Sequence, residues 1–204
     1  MRYSFCNMKL FFYLLTLVFL ITSCADDDYT PKPKGYPRVH FPKEAGYKKL
    51  EGNYPYTFEY PAYAKIYKDS MFFNQKAENP YWLTVYFPDL NARIHLSYKA
   101  INKNENTFYK LLEDTYQLTF KHSVKADAID RNSFHPSNGV AGQMFVVKGN
   151  AASSNQFYIS DSTKHFVRGS LYFYCEPNED SLMPVTQFVF KDIEHIIQTF
   201  QWKN

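Results

Sequence analysis

Cysteine is nearly absent from this chain: Cys6, Cys24 and Cys175 are the three among 204 residues. Cys6 lies in an N-terminal stretch that reads as a leader, and Cys24 follows that stretch directly. Only Cys175 is left for the folded part, which excludes an intrachain disulfide there. Glycine is also scarce, with seven in all. None falls in a Gly-x-x-x-x-Gly-Lys-Ser/Thr run, so a phosphate loop is excluded. Gly-x-Ser-x-Gly is missing, and with it the signal of a nucleophile elbow. His-Glu-x-x-His is missing too, and the six histidines are scattered without ligand spacing. No cofactor or metal site is therefore expected, and no catalytic residue stands out. Charge of one sign is not in excess: the formal net charge is +3, which argues against a nucleic-acid partner. After Ile21 there is no second long apolar run to cross a membrane.

What the chain does have begins at its N-terminus. Arg2 and Lys9 precede an apolar run from Leu10 to Ile21, too short to span a bilayer. Ile21-Thr22-Ser23-Cys24 resembles a lipobox, with Cys24 at the +1 position. That resemblance implies cleavage before Cys24, a diacylglycerol on its sulfur and acylation of the new amine. Three acyl chains exceed the roughly two signals that stable anchoring needs. The alternative is a plain secretory signal with an incidental cysteine. Residues 1–23 are thus the leader. Residues 24–37, rich in proline and charge, make a tether that cannot pack a core. Fully extended, the tether spans about 40 Å. Asp26-Asp27-Asp28 reads as a solvated linker, and it also resembles an acid-rich signal for export to the outer face of the outer membrane.

Residues 38–204 read as a single α+β domain. Aromatics make up 19% of the chain, a composition that suits sheets and contact surfaces. Strands are expected at Thr57–Tyr60, Trp82–Phe87, Ala92–Tyr98, Val140–Lys148, Asn155–Ser160 and His165–Cys175. In Ala92–Tyr98, Ile94, Leu96 and Tyr98 share one face, and Arg93, His95 and Ser97 the other. Phe108, Leu111, Leu112, Thr115, Leu118 and Thr119 follow a helical stripe, with Asn104 or Asn106 as its cap. A closing helix starts near Pro184 and buries Val185, Val189, Ile193, Ile196, Ile197 and Phe200. Hairpin-like neighbours imply a mostly antiparallel sheet, with the helices packed on it, on opposite faces; that arrangement resembles the Mog1/PsbP-like sandwich. Cys175, in period-2 register with Leu171 and Phe173, is expected to be a buried small hydrophobe rather than a catalytic thiol.

Three polar clusters are candidate partner-binding surfaces. The first is Arg93, His95 and Ser97. Lys121, His122, Lys125 and Asp127 form the second, just past the first helix. Asp161, Lys164, His165 and Arg168 form the third, at the hairpin turn and the strand after it. Any of them also reads as a solvated face. Two meeting in space would make a polar, histidine-bearing concavity and a better site. Ser153 and Ser154, after Gly149-Asn150-Ala151-Ala152, read as part of a tight turn rather than as nucleophiles.

Several of these words together resemble the gliding-motility lipoprotein GldD family of Bacteroidetes. They are Asp28–Tyr36, Tyr54–Pro61, Arg93–Tyr98, Lys121-His122 with Lys125–Ala128, Gly149–Ser154, and Asp161–Phe166 with Arg168-Gly169, ending at Asp192-Ile193. The resemblance runs from Cys24 to the C-terminus. It implies a lipid-anchored envelope protein, expected at the outer membrane, needed for gliding and tied to the type IX secretion apparatus. It implies envelope proteins of that apparatus as partners, carries over no catalytic residue, and adds Asn150 to the contact candidates. The competing reading is a periplasmic or surface enzyme, or a small-ligand-binding lipoprotein.

Overall fold

Alternation along one strand sets the architecture. In the computed structural model, which describes residues 38–203 except 44, 69, 70, 73, 74, 137 and 138, β8 (Ala92–Ala100) buries Ile94, Leu96 and Tyr98 and half-exposes Arg93, His95 and Ser97. Successive side chains of a strand point to opposite faces, so this pattern defines two sides of a sheet. The short strands β1 (Tyr47–Lys49), β2 (Tyr56–Thr57) and β3 (Glu59–Pro61) precede β4 (Lys65–Lys68). The small hairpin of β5 (Met71–Phe72) and β6 (Gln75–Lys76) leads to β7 (Leu83–Phe87) and then β8. After helix α1 (Glu105–Phe120) come β9 (Ala126–Phe134), β10 (Ala141–Gly149), β11 (Asn155–Ser160) and β12 (His165–Phe173). Helix α2 (Glu179–Thr199) and β13 (Gln201–Trp202) close the chain.

Seven strands form the main sheet in the order β4-β7-β8-β12-β11-β10-β9. Every neighbouring pair is antiparallel. The β8–β12 register sets Val167 opposite Tyr98, Arg168 opposite Ser97 and Leu171 opposite Ile94. Val167 and Leu171 therefore join the buried face of β8, and Arg168 joins the polar one.

Helix α2 covers the first face. Val185, Val189, Ile193, Ile196 and Ile197 are buried along it, and they share a core with Ile94, Leu96, Phe157, Ile159, Val167 and Leu171. Each fully buried aliphatic side chain of this kind stabilises by about 1.5–3 kcal/mol. Phe200 caps the helix and is fully buried, stacked on Tyr56 and Phe58. Beyond it β13 pairs with β2, which ties the C-terminus to the start of the domain.

Helix α1 covers the opposite face. Leu111 packs with Ile101 and Phe166, flanked by Phe108, Leu112 and Tyr158. The ring of Tyr116 meets Phe145 edge-on at 5.4 Å. The molecule is an α+β sandwich of an antiparallel sheet between two helices, as expected.

Details depart from expectation. Helix α2 starts five residues before Pro184, because Asn178 caps it by accepting from the Ser181 N–H at 3.0 Å. Pro184 sits inside the helix, where it has no N–H to give. At α1, Asn104 is the cap, accepting from the Thr107 N–H at 3.2 Å, and Asn106 is a helical residue. Leu118 leaves the apolar stripe and is 42% exposed. The expected Thr57–Tyr60 strand is split between β2, paired with β13, and β3, paired with β1. Strand β9 was not expected. It is the sheet's edge and mostly exposed, so it lacks the apolar alternation of a half-buried strand. Cys175 is exposed rather than buried, because β12 ends at Phe173 and its period-2 register ends there too. The leader, Cys24 and the tether lie outside the described residues.

Candidate functional site

A cleft of about 600 Å³ opens between α1 and the polar face of the sheet. The helix side supplies Leu111, Asp114, Thr115, Leu118, Lys121 and His122. The sheet side supplies Ser97 and Lys99 from β8, and Phe166, Arg168 and Tyr172 from β12, with Trp82 and Glu78 at the edge. Members of all three sequence-predicted clusters thus meet here: Ser97 from the first, Lys121 and His122 from the second, Arg168 from the third. The meeting follows from two local facts. Antiparallel pairing sets Ser97 against Arg168. The 3-10 turn Lys121–Val124, which continues α1, carries Lys121 and His122 to the same end of the cleft.

Arg168 is the electrostatic centre. Its guanidinium donates to the side-chain oxygen of Gln156, which also accepts from Thr119 Oγ1 at 3.1 Å. Gln156 and Thr119 are fully buried, so this oxygen bridges sheet and helix. Among the described residues no carboxylate pairs with Arg168, and its Nε is buried without a hydrogen-bond partner. Burial pushes the Arg168 guanidinium below its ordinary pKa, with Tyr172 opposing the shift. An arginine stays charged throughout the accessible pH range all the same. His122 is lowered as well, first by burial and then by the positive charge of Arg168. Tyr172 is raised by burial. Lys99 is held by Glu78 at 2.6 Å on the outer edge.

The other candidates lie elsewhere and are engaged in the fold. His95 Nδ1 hydrogen-bonds Thr84 Oγ1 at 2.6 Å and its ring lies 5.8 Å from Tyr172; it shares the face of β8 with Ser97 but is not part of the cleft's lining. Arg93 lies over the rings of Tyr174 and Tyr86, at 4.1 and 4.9 Å, and donates to the Tyr174 hydroxyl at 2.9 Å. Asp161 organises its own turn: one carboxylate oxygen accepts from the N–H groups of Thr163, Lys164 and His165 at 2.7–2.9 Å. Burial pushes Asp161 up, but these N–H groups outweigh it and hold the carboxyl below its usual range. Lys164 is an exposed residue of that turn. His165 points to the α2 face, bonded through Nδ1 to the Tyr98 hydroxyl at 2.8 Å and stacked on Trp202. His165 and Arg168 are therefore on opposite faces of β12, and the third cluster is not one surface.

Lys125 and Asp127 flank the turn into β9 and face Gly149 across the β9–β10 bulge. Asn150 caps a helix: its Oδ1 accepts from the Glu179 N–H at 2.9 Å, while Glu179 Oε2 accepts from the Gly149 N–H at 2.8 Å. The Gly149–Ser154 segment is thus fastened to the first turn of α2. A smaller cavity of about 240 Å³ lies beneath it, with Cys175 on its wall. Burial of its surroundings pushes the Cys175 thiol up.

Gln156, Thr119 and Tyr172 belong to the site and were missed as site residues. A signal existed for one of them: Gln156 follows Asn155 in a strand otherwise rich in Phe157, Tyr158 and Ile159. A buried amide at such a position needs a partner. Among the described residues, no group of three His, Cys, Asp or Glu side chains converges to hold a metal.

The fold and the cleft define an α+β sandwich domain with a basic, partly apolar groove along one helix. The chain belongs to the gliding motility lipoprotein GldD family, which it matches over residues 26–202. It is accordingly a motility-associated lipoprotein of the cell envelope, held by lipid. No helix among the described residues is long and apolar enough to cross a membrane. The chain is similar to the solution structure of cyanobacterial PsbP (CyanoP) from Synechocystis sp. PCC 6803, at 8% identity, covering 81% of this chain and 99% of that one, with a TM-score of 0.45. No curated protein matches it in sequence.

Proposed function

We propose that this protein is an accessory of the gliding and type IX secretion machinery at the outer membrane, and that it works by protein contact through the cleft beside α1. The family supports the process, and the lipobox at Cys24 supports the anchor. The observation that carries the contact reading is the convergence of Ser97, Lys121, His122 and Arg168, three separate polar segments, on one groove. Leu118, which lines the groove, is 42% exposed, and Phe120 and Val124, close in sequence to the Lys121–His122 pair, are 40% and 88% exposed. A polar groove edged with apolar groups is the composition of a contact surface. The protein is read as a non-enzyme.

Two measurements test this reading. Cys24→Ala should abolish labelling with radioactive palmitate and leave an uncut or mislocalised precursor. Continued labelling contradicts the anchor. Recovery of the lipidated protein from envelopes should bring down other envelope proteins, and Lys121→Ala with His122→Ala should reduce that recovery. Recovery as in the wild type contradicts the contact surface.

A second reading is supported by the cleft's volume, which lies in the range of small-molecule sites. In that case a small-ligand-binding lipoprotein uses the same residues, and a soluble metabolite rather than a protein follows the chain through purification.

A further inference from the structure

We infer that the cleft takes a carboxylate borne on an apolar peptide segment of a partner protein, seated against the guanidinium of Arg168. The inference rests on the contact reading above and names the partner's chemistry. Removing a charge from water without a counter-charge is costly. Arg168 spends one guanidinium nitrogen on Gln156 and has no other side-chain hydrogen bond among the described residues. The structure thus holds a half-buried cation whose compensation is missing, at the wall of an open cleft. Lys121 and His122 stand at the same end. The planar fork of an arginine matches the two oxygens of a carboxylate.

The rest of the lining sets the size of the charge. Asp114 also lines the cleft, and Glu78 is already taken by Lys99 at 2.6 Å. The net positive charge is therefore small, and it suits a monoanion better than a phosphate dianion. Leu111, Leu118, Phe166 and Trp82 line the same space, so the group carrying the carboxylate has an apolar body. A peptide's C-terminal residue meets both conditions, as does an acidic residue beside apolar neighbours.

The test uses the full chain in detergent at fixed ionic strength. The probes are acetyl-Gly-Leu-Phe as the free acid, the same tripeptide as its amide, and inorganic phosphate, with the His122 ring resonance as readout. The acid should shift that resonance saturably and bind at least about tenfold more tightly than the amide, the scale of a charge-assisted hydrogen bond. Phosphate should bind more weakly than the acid. Arg168→Gln should reduce the acid to the amide's affinity, and Lys121→Gln, at an exposed position, should weaken it about twofold. If Arg168→Gln does not fold, Lys121→Gln carries the comparison. Equal binding of acid and amide, no saturation, tighter phosphate binding, or an unchanged affinity in Lys121→Gln each overturns the assignment. If the acid fails while cleft variants still lose envelope partners, the carboxylate is wrong and the contact reading stands. If the variants keep their partners, the contact reading falls as well.

Discussion

Arg168 and His122 approach the same cleft from opposite sides, one from the sheet and one from the end of a helix, and the charge of the first depresses the second. Burial makes the larger contribution to the low pKa of His122, and Arg168 adds to it. The relationship gives a prediction independent of any partner. Arg168→Gln should raise the His122 pKa, and so should an anion seated in the cleft. Titration of the histidine ring resonances reads both. An unchanged pKa in the variant means the two side chains are not coupled.

Stability should fall with acid in two stages. His122 and His165 are both lowered in the folded state from the ordinary 6.5. A histidine that resists protonation when folded binds more protons when unfolded. The stability it confers is therefore present above 6.5 and lost as pH falls through the folded value. Asp161, lowered from 3.8, confers stability that is present above that value and lost below it. Denaturant midpoints between pH 8 and pH 3 should decline below 6.5 and again below 3.8. His122→Gln and His165→Gln should flatten the first decline.

Gly169 tests the packing between sheet and core. A Cβ there would overlap the ring of Phe157 on the face covered by α2. Phe157 is fully buried and has nowhere to move. Gly169→Ala should cost about 1–3 kcal/mol, the usual penalty of overpacking. An unfolding curve matching the wild type would show a looser core than the structure describes.

The closing helix is core. Ile193→Ala should cost about 2–5 kcal/mol, and deletion from Asp192 onward should abolish cooperative unfolding. Besides Ile193, Ile196, Ile197 and Phe200, that deletion removes the β13–β2 pairing. A truncated chain that still melts in one sharp transition contradicts this.

Cys175 is exposed and makes no core contact of the kind its sequence register suggested. Cys175→Ser should change stability by less than about 0.5 kcal/mol, as at an ordinary surface position. The native thiol should react with a small alkylating agent without prior unfolding, more slowly than a free thiol because its pKa is raised.

The parts legible in the sequence were those where one period runs without interruption. Val185 to Phe200 keeps a helical stripe through four turns, and Ile94, Leu96 and Tyr98 alternate cleanly. Both followed the pattern because burial on one side decides it. Strand β9 was hidden because Asp127, Asp130 and Arg131 face water at the sheet's edge. Pro184 misled as a helix start because Asn178, the real cap, precedes it by six residues. The cleft was legible only as a possibility. Three strands separate β8 from β12 in sequence, so nothing local says that Ser97 will lie across from Arg168. The sequence likewise gives no sign that Asn150 is spent on capping a helix, or that His165 turns away from Arg168, because both depend on long-range pairing.

The most direct measurement of the central claim is the recovery of envelope partners with cleft variants of the full lipidated chain. Lys121→Ala, His122→Ala and Arg168→Gln are compared with Lys125→Ala and Lys164→Ala, which lie outside the cleft lining. Lys121→Ala, Lys125→Ala and Lys164→Ala, at exposed positions, should reach the envelope at wild-type abundance, because polar surface changes usually alter stability by less than about 0.5 kcal/mol. His122→Ala and Arg168→Gln, at half-buried positions, are compared only where their melting curves and envelope abundance match the wild type. The cleft variants should lose co-purifying proteins and surface motility, and the two outside should retain both. Equal recovery and equal motility across the five would contradict the assignment of the cleft as the contact surface.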